Sequence, residues 1–163
     1  GRLRLAARAI DQRLKADGLM TVCHGDAKSA NIIFAGNGDG PVPLLYDFQY
    51  CGKAPATKDL AYLLNVASDD TRNEERFVQL YHTELSKRLE KYGDTPPTFD
   101  ALRASLELSY CDLARFLVSF GFWGHDDIRA KTRAVLDRLD GGKALRSEAD
   151  YAEAVQREFP VVP

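Results

Sequence analysis

The sequence predicts an α+β fold in which helices predominate and one β-hairpin lies near the start of the chain. Two observations lead to this prediction. Apolar residues recur at helical spacing over residues 2–16 and over most of the chain after residue 58. Between these regions, two short apolar runs, 31–35 and 42–48, flank a connector that contains three glycines. One hairpin and about five to six helices account for the whole pattern.

The first predicted helix covers residues 2–16, and its apolar residues fall on one stripe, as Leu3, Ala6, Ile10 and Leu14. Asp17-Gly18 ends it, because glycine readily takes the left-handed conformation of a helix C-cap. A short apolar run, 19–23, then leads into the predicted hairpin. We expect residues 52–55, which begin with Gly52 and end with Pro55, to interrupt the chain after the hairpin.

The remainder of the chain is predicted to be helical. Helical spacing of apolar residues extends over 58–67, 71–92, 100–122, 126–139 and 147–159. The segment 93–97, with one glycine and two prolines, separates the second and third of these helices. Trp123 follows a segment rich in phenylalanine. We expect this aromatic stretch to pack in the core.

Length and composition fit a single domain that spans residues 1–163. The chain is 45% hydrophobic and 28% charged, which excludes a disordered protein. A formal net charge of -2 gives no indication of nucleic-acid binding. No apolar run approaches the ~18 residues of a membrane span. We therefore expect neither a nucleic-acid partner nor a membrane-spanning segment.

The three cysteines, Cys23, Cys51 and Cys111, are odd in number and far apart in sequence. This pattern suits neither a disulfide framework nor a zinc site, which needs closely spaced Cys or His ligands. The sequence also lacks an N-glycosylation sequon. We therefore expect free thiols in a reducing compartment, and we predict a cytoplasmic location.

A group of polar residues at the hairpin supplies the candidate catalytic and metal-binding side chains. Asp26, Lys28 and Asn31 lie within six residues, just before the first hairpin strand, and Asp47 ends the second. A hairpin centred on residue 39 places residue 31 nearly opposite residue 47. An amide oxygen and a carboxylate then converge and suit Mg²⁺, which is held by few protein ligands and by substrate phosphates. Asp26 lies beside them and is free to accept a proton from a nucleophile.

These residues resemble the catalytic lobe of the aminoglycoside phosphotransferase and choline-kinase-like small-molecule kinases. The resemblance rests on His24-Gly25-Asp26, on Asn31 five residues later and on Asp47-Phe48-Gln49. Gly25 stands where protein kinases have an arginine, which favours the small-molecule branch, and Asp47-Phe48-Gln49 is most similar to the ecdysteroid-kinase-like branch. The resemblance covers residues 19–64 well and extends over the later helices as general architecture. It implies the C-terminal lobe of a protein-kinase-like fold.

The resemblance also implies an activity, the transfer of the γ-phosphate of ATP to a hydroxyl of a small molecule. Asp26 would orient the hydroxyl and accept its proton, while Asn31 and Asp47 would hold Mg²⁺. Lys28 stands where protein kinases have a lysine that meets the γ-phosphate. His24 would hold the loop in place. Asp59, in an Asp-Leu-Ala sequence, would accept backbone N–H bonds from the catalytic loop.

Simpler interpretations compete with several of these assignments. Asp26 and Asn31 suit a loop that caps its own backbone, an alternative that Asp47 and Asp59 disfavour. The Gly-rich connector 36–40 lacks the Lys-Ser/Thr of a phosphate-binding loop and the distal Glu of an EF-hand, so a plain turn is favoured.

Three residues of the later helices are candidates for the wall of an acceptor site, because helices after the metal site form that wall in the family. They are Asp112, Arg115 and Trp123. Asp112 and Arg115 also suit a simple i,i+3 ion pair on one helix, and Trp123 suits the core.

The family builds its ATP site between two lobes, and the 23 residues before His24 are predicted to be helical rather than a five-stranded lobe. We therefore expect this chain to be the C-terminal lobe, with an N-terminal ATP-binding lobe as its partner. By itself it should not catalyse efficient transfer, and an apolar face should be left exposed. A non-catalytic kinase-like module that binds a ligand or partner is the main alternative, and a helical structural domain with an accidental motif ranks last.

Overall fold

The computed structural model describes residues 1–36, 40–67, 71–121, 123 and 125–161, and only the backbone of Thr71. Its helices are α1 (Arg2–Lys15), α2 (Thr57–Tyr62), α3 (Glu74–Lys91), α4 (Phe99–Ser119), α5 (Asp127–Asp140) and α6 (Glu148–Glu158). Its strands are β1 (Met20–Cys23), β2 (Ile32–Ala35), β3 (Val42–Leu45) and β4 (Gly52–Pro55). The mainly helical α+β fold predicted from the sequence is confirmed.

The strands form two separate antiparallel pairs. β2 and β3 make the predicted hairpin, with Ile32 opposite Leu45 and Ala35 opposite Val42. Residues 37–39, at the centre of its predicted turn, lie outside the described residues. β1 pairs with β4, with Met20 opposite Pro55 and Cys23 opposite Gly52.

The β1–β4 pair corrects one prediction. Residues 52–55 were expected only to interrupt the chain, but they form a strand that contacts the apolar run at 20–23. Glycine and proline lie at the two ends of β4, where the ladder tolerates them, because a terminal proline removes no hydrogen bond from the middle of the strand. The pairing holds the two ends of the segment 24–51 together.

The hairpin register differs by one residue from the predicted one. Ile32 lies opposite Leu45, and the Tyr46 amide donates to the Asn31 carbonyl at 3.1 Å. Asn31 therefore faces Tyr46 rather than Asp47. The centre of the turn lies half a residue before residue 39, a position that the Gly-rich connector does not fix from sequence.

The helices pack around α4, which contributes to both hydrophobic clusters. On one side, α4 packs with α1, α5 and α6, and the largest fully buried side chains there are Ile10, Leu14, Leu108, Tyr151 and Phe159. On the other side, α4 packs with α2 and α3 around Leu60, Leu102, Leu117 and Ile128. The predicted apolar stripe of α1 is confirmed, since Ala6, Ile10 and Leu14 are buried.

Three helix boundaries differ from prediction by three residues or more. The helix expected over 71–92 is α-helical only from Glu74, after a 3₁₀ turn at Thr71–Asn73. The helix expected over 58–67 is α-helical only to Tyr62 and continues as a π-helical turn, Leu63–Ala67. The helix expected over 100–122 ends at Ser119. Phe122 lies outside the described residues. Within the described chain, no helix is both long and apolar enough to cross a membrane.

Candidate active site

The catalytic loop, residues 24–31, leaves β1 and enters β2 through a 3₁₀ turn, Ser29–Asn31. Its tightest point is Gly25, which has φ +81°. A Cβ atom built there would lie 2.3 Å from the Tyr50 carbonyl oxygen. Only glycine fits this position, because both the backbone conformation and the close approach exclude a side chain.

Asp59, in the first turn of α2, fixes the start of the catalytic loop. Its two carboxylate oxygens accept hydrogen bonds from the backbone amides of His24 at 2.6 Å and Gly25 at 2.9 Å. Charged acceptors make strong bonds to backbone N–H groups. The loop is therefore tied to α2 by a carboxylate placed as the family resemblance implies.

His24 joins the catalytic loop to the segment that carries Asp47. Its buried ring accepts from the Asp26 amide at Nδ1 (3.2 Å) and donates from Nε2 to the Tyr46 carbonyl (2.8 Å). These two bonds fit the tautomer with its proton on Nε2. The ring centroid also lies 4.6 Å from that of Phe48. His24 thus connects the two segments through hydrogen bonds of its ring.

The Asp26 carboxylate is held by two side chains of the same loop. Its side chain is buried, and one oxygen accepts from Lys28 Nζ at 2.8 Å and from Asn31 Nδ2 at 2.9 Å. Burial alone would raise the pKa of Asp26, but interactions with Lys28, Tyr62 and Asn31 outweigh it and leave the pKa below its ordinary value. The carboxylate is therefore ionised at neutral pH.

Asn31 is buried, and its amide nitrogen donates to both the backbone carbonyl and the carboxylate of Asp26. The amide oxygen of Asn31 is thereby directed to the other side of the amide plane, where it can serve as a ligand.

Asp47 is exposed and follows β3 in a left-handed conformation, with φ +64°. It is the only non-glycine residue with positive φ among the described residues, and such strained positions cluster at functional sites. Asp47 also interacts electrostatically with Lys28.

An amide oxygen from Asn31 and a carboxylate from Asp47 suit Mg²⁺, which takes oxygen ligands and keeps several waters. The described residues hold no group of three or more His, Cys, Asp or Glu side chains that could hold a metal ion.

A cavity of about 310 Å³ lies beside the catalytic loop. Its lining includes Gly25 of the loop, Asp59 and Tyr62 of α2, and several residues of α4. Two of the three predicted wall residues, Asp112 and Arg115, line this cavity. Trp123 does not line it, but its ring packs against Phe116, which does. Trp123 also interacts with Tyr62, another lining residue.

Asp112 and Arg115 form the i,i+3 pair that the sequence allowed, with nitrogen–oxygen distances of 2.7 and 3.1 Å. Lys58 also binds Asp112, at 2.8 Å, and joins α2 to α4. Burial would raise the pKa of Asp112, but the bonds from Lys58 and Arg115 lower it overall. The pair is thus part of the cavity wall and not merely a surface contact.

Three residues near the candidate site, Tyr62, Lys58 and Tyr50, were not predicted from the sequence. A signal existed for Tyr62, because it lies three residues after Asp59 and shares a face of the predicted helix. No local pattern indicated Tyr50, which enters the site because the β1–β4 pairing returns the chain to Gly25.

A family model described as the phosphotransferase enzyme family matches residues 1–102. The chain belongs to this phosphotransferase family. The match includes all the loop and metal candidates, from His24 to Asp59, whereas Asp112, Arg115 and Trp123 lie beyond it. Comparisons with curated proteins and with solved structures gave no match. The family thus covers the residues proposed for phosphate chemistry but not most of α4.

Proposed function

We propose that this chain is the catalytic lobe of an ATP- and Mg²⁺-dependent phosphotransferase that phosphorylates a hydroxyl of a small molecule. The observation that supports this most strongly is the buried, ionised carboxylate of Asp26, which accepts hydrogen bonds from Lys28 and Asn31. Gly25, its neighbour in the chain, lines the cavity. The family match over residues 1–102 agrees with a phosphotransferase.

In the proposed reaction, the acceptor oxygen forms a bond to the γ-phosphorus and the bond to the β–γ bridging oxygen breaks, which releases ADP. Asp26 orients the hydroxyl and takes its proton. Lys28, which is paired with Asp26, adds positive charge close to the phosphoryl group that is transferred. Asn31 and Asp47 would hold Mg²⁺, which when bound neutralises charge on the phosphates. Asp59 and His24 keep the loop in position.

The hairpin is the proposed surface for an N-terminal nucleotide-binding lobe. Its strands expose apolar side chains on both faces, and Phe34 is 67% exposed. Phe48, which follows β3, is 55% exposed. The other large apolar residues exposed there are Ile33, Val42, Leu44 and Leu45. Contiguous exposed apolar surface of this kind marks an interaction site. We expect weak Mg-ATP binding and little turnover from the 163-residue chain alone, which calorimetric titration of Mg-ATP checks.

A reducing compartment such as the cytoplasm is part of the proposal. Cys23, Cys51 and Cys111 are all free thiols in the structure, and two of them are buried. Burial raises the pKa of Cys23 to about 11 and that of Cys111 to about 12, so both thiols stay protonated and unreactive at neutral pH.

Replacement of Asp26 by asparagine tests the function in the protein together with its nucleotide-binding lobe. Asn keeps the shape but cannot accept the proton, so kcat should fall at least about 100-fold. The control is Asp11→Asn, which changes an exposed carboxylate of α1 paired with Lys15. Unchanged transfer by D26N would overturn the assignment. Retained ligand binding without transfer by the unaltered protein would favour a non-catalytic module instead.

A further inference from the structure

The two carboxylates that line the cavity are already occupied by donors. Asp59 accepts from the backbone amides of His24 and Gly25, one on each oxygen. Asp112 accepts from Lys58 on one oxygen and from Arg115 on the other. The Asp112 side chain is only 13% exposed. Neither carboxylate therefore presents an uncommitted oxygen to a cationic ligand.

Positive charge predominates around the same cavity. Three cations line it, Lys53, Lys58 and Arg115, against the two carboxylates. Lys53 lies exposed on β4 and forms no salt bridge within the part of the chain that the structure describes. The Arg115 side chain is 49% exposed although it holds Asp112. The cavity thus has a surplus of one positive charge and two cations accessible from solvent.

We propose that this cavity is the acceptor site and that it selects a hydroxyl compound carrying an anionic group, a carboxylate or a phosphate. The proposal rests on the phosphotransferase function proposed above. The anionic group pairs with Lys53 and Arg115, and the carbon skeleton contacts the rings of Tyr50, Tyr62 and Phe116. A cation would have to displace Lys58 or Arg115 from the largely buried Asp112, which leaves a charge unpaired.

The connection to Asp26 supports an acceptor site rather than a remote anion site. Gly25, which lines the cavity, immediately precedes Asp26 in the chain. Tyr62 also lines the cavity, and its side chain interacts with the Asp26 carboxylate. A molecule in the cavity therefore contacts two residues that adjoin the group that would take its proton, while Lys53 and Arg115 hold its charge.

A matched series of three ligands tests the charge selectivity. The compounds 4-(hydroxymethyl)benzoate, 4-(hydroxymethyl)benzamide and 4-(hydroxymethyl)benzylamine share one skeleton and differ only in charge. Dissociation constants for the 163-residue chain are measured by ligand-observed NMR at low and high salt. We expect the benzoate to bind tightest and the benzylamine weakest. The difference should shrink at high salt, because screening weakens partly exposed ion pairs.

Lys53→Glu should weaken benzoate binding about fivefold, the upper end for one partly exposed ion pair, and should favour the benzylamine. Lys143→Glu is the matched control, since Lys143 is exposed, forms no salt bridge among the described residues and does not line the cavity. If Lys53→Glu perturbs β4, Lys53→Met provides the neutral variant, with a smaller loss in the same direction.

Three results would overturn the proposal. Benzylamine binding as tight as that of the benzoate contradicts the selectivity. Equal effects of Lys53→Glu and Lys143→Glu on benzoate binding would show that the benzoate does not bind in this cavity. Competition between ADP and the benzoate would assign the cavity to nucleotide phosphates. None of these measurements depends on transfer, so they separate this proposal from the D26N test of the function.

Discussion

Tyr62 is the residue that links the cavity to the proposed base. Its side chain interacts with both the Asp26 carboxylate and the Trp123 side chain. Burial, and then the neighbouring Asp26 charge, raises the pKa of Tyr62, so its hydroxyl stays protonated as a donor. Tyr62 is thus a positioning residue for the Asp26 carboxylate.

Tyr62→Phe should raise the pKa of Asp26, because it removes one interaction that favours the ionised carboxylate while burial continues to disfavour it. NMR titration of the Asp26 carboxyl carbon measures the change. Tyr92→Phe is the control, because Tyr92 is 78% exposed at the end of α3. An Asp26 pKa equal to that of the unaltered chain would show that Tyr62 does not hold the carboxylate.

Gly25→Ala should destabilise the chain more than Gly93→Ala. Both glycines have φ near +80°, but a Cβ at Gly25 meets the Tyr50 carbonyl at 2.3 Å, whereas one at Gly93 meets nothing within 4 Å. The shared conformational cost is about 1–2 kcal/mol, and overpacking at Gly25 adds about 1–3 kcal/mol. Urea unfolding measures both variants, and equal losses would contradict the close contact.

At the scale of elements, α2 holds the catalytic loop through a single carboxylate. Asp59→Asn replaces one acceptor oxygen by an NH₂ group that faces a backbone N–H. The free energy of unfolding should fall by about 1–3 kcal/mol, the cost of an unsatisfied donor. Hydrogen exchange at the His24 and Gly25 amides should accelerate, because both donate to Asp59. Asp94→Asn, in the exposed turn after α3, is the control and should leave both amides protected.

The hairpin shows how far local sequence determines an element. Both strands and their pairing follow from two apolar runs around a turn-rich connector. The one-residue difference in register does not follow from them, because several glycines permit more than one turn. It matters for the site, since Asn31 then faces Tyr46, and Asp47 lies beyond the ladder at φ +64°.

At the scale of the whole molecule, three aspartates couple stability to pH. Burial opposes ionisation of Asp26, Asp112 and Asp140, but hydrogen bonds and cations lower the pKa of each overall. Asp140 joins three helices, because it accepts from Arg2 of α1 and from Tyr151 of α6. At low pH the unfolded chain therefore binds more protons than the folded one.

The free energy of unfolding should consequently fall as pH drops below about 5 and through the lowered pKa values. The stabilisation is present above the ordinary aspartate pKa and is lost on the acid side. Urea titrations between pH 7 and pH 2 measure it. Asp140→Asn should be less stable at neutral pH and should show a shallower acid dependence, while Asp11→Asn should follow the unaltered chain. If the free energy of unfolding of Asp140→Asn depended on pH as steeply as that of the unaltered chain, Asp140 would not contribute to the acid dependence.

The sequence by itself determined the family, the helical character and the residues of the candidate site. It could do so because periodicity and motif spacing are local properties, and His24, Asp26, Asn31 and Asp47 lie within one hairpin. Only the tertiary structure decided what surrounds them. β4 brings Tyr50 against Gly25, α2 brings Tyr62 onto Asp26, and α4 supplies Asp112 already bound by Lys58. These contacts join residues distant in sequence, so packing rather than local pattern sets the charge of the cavity.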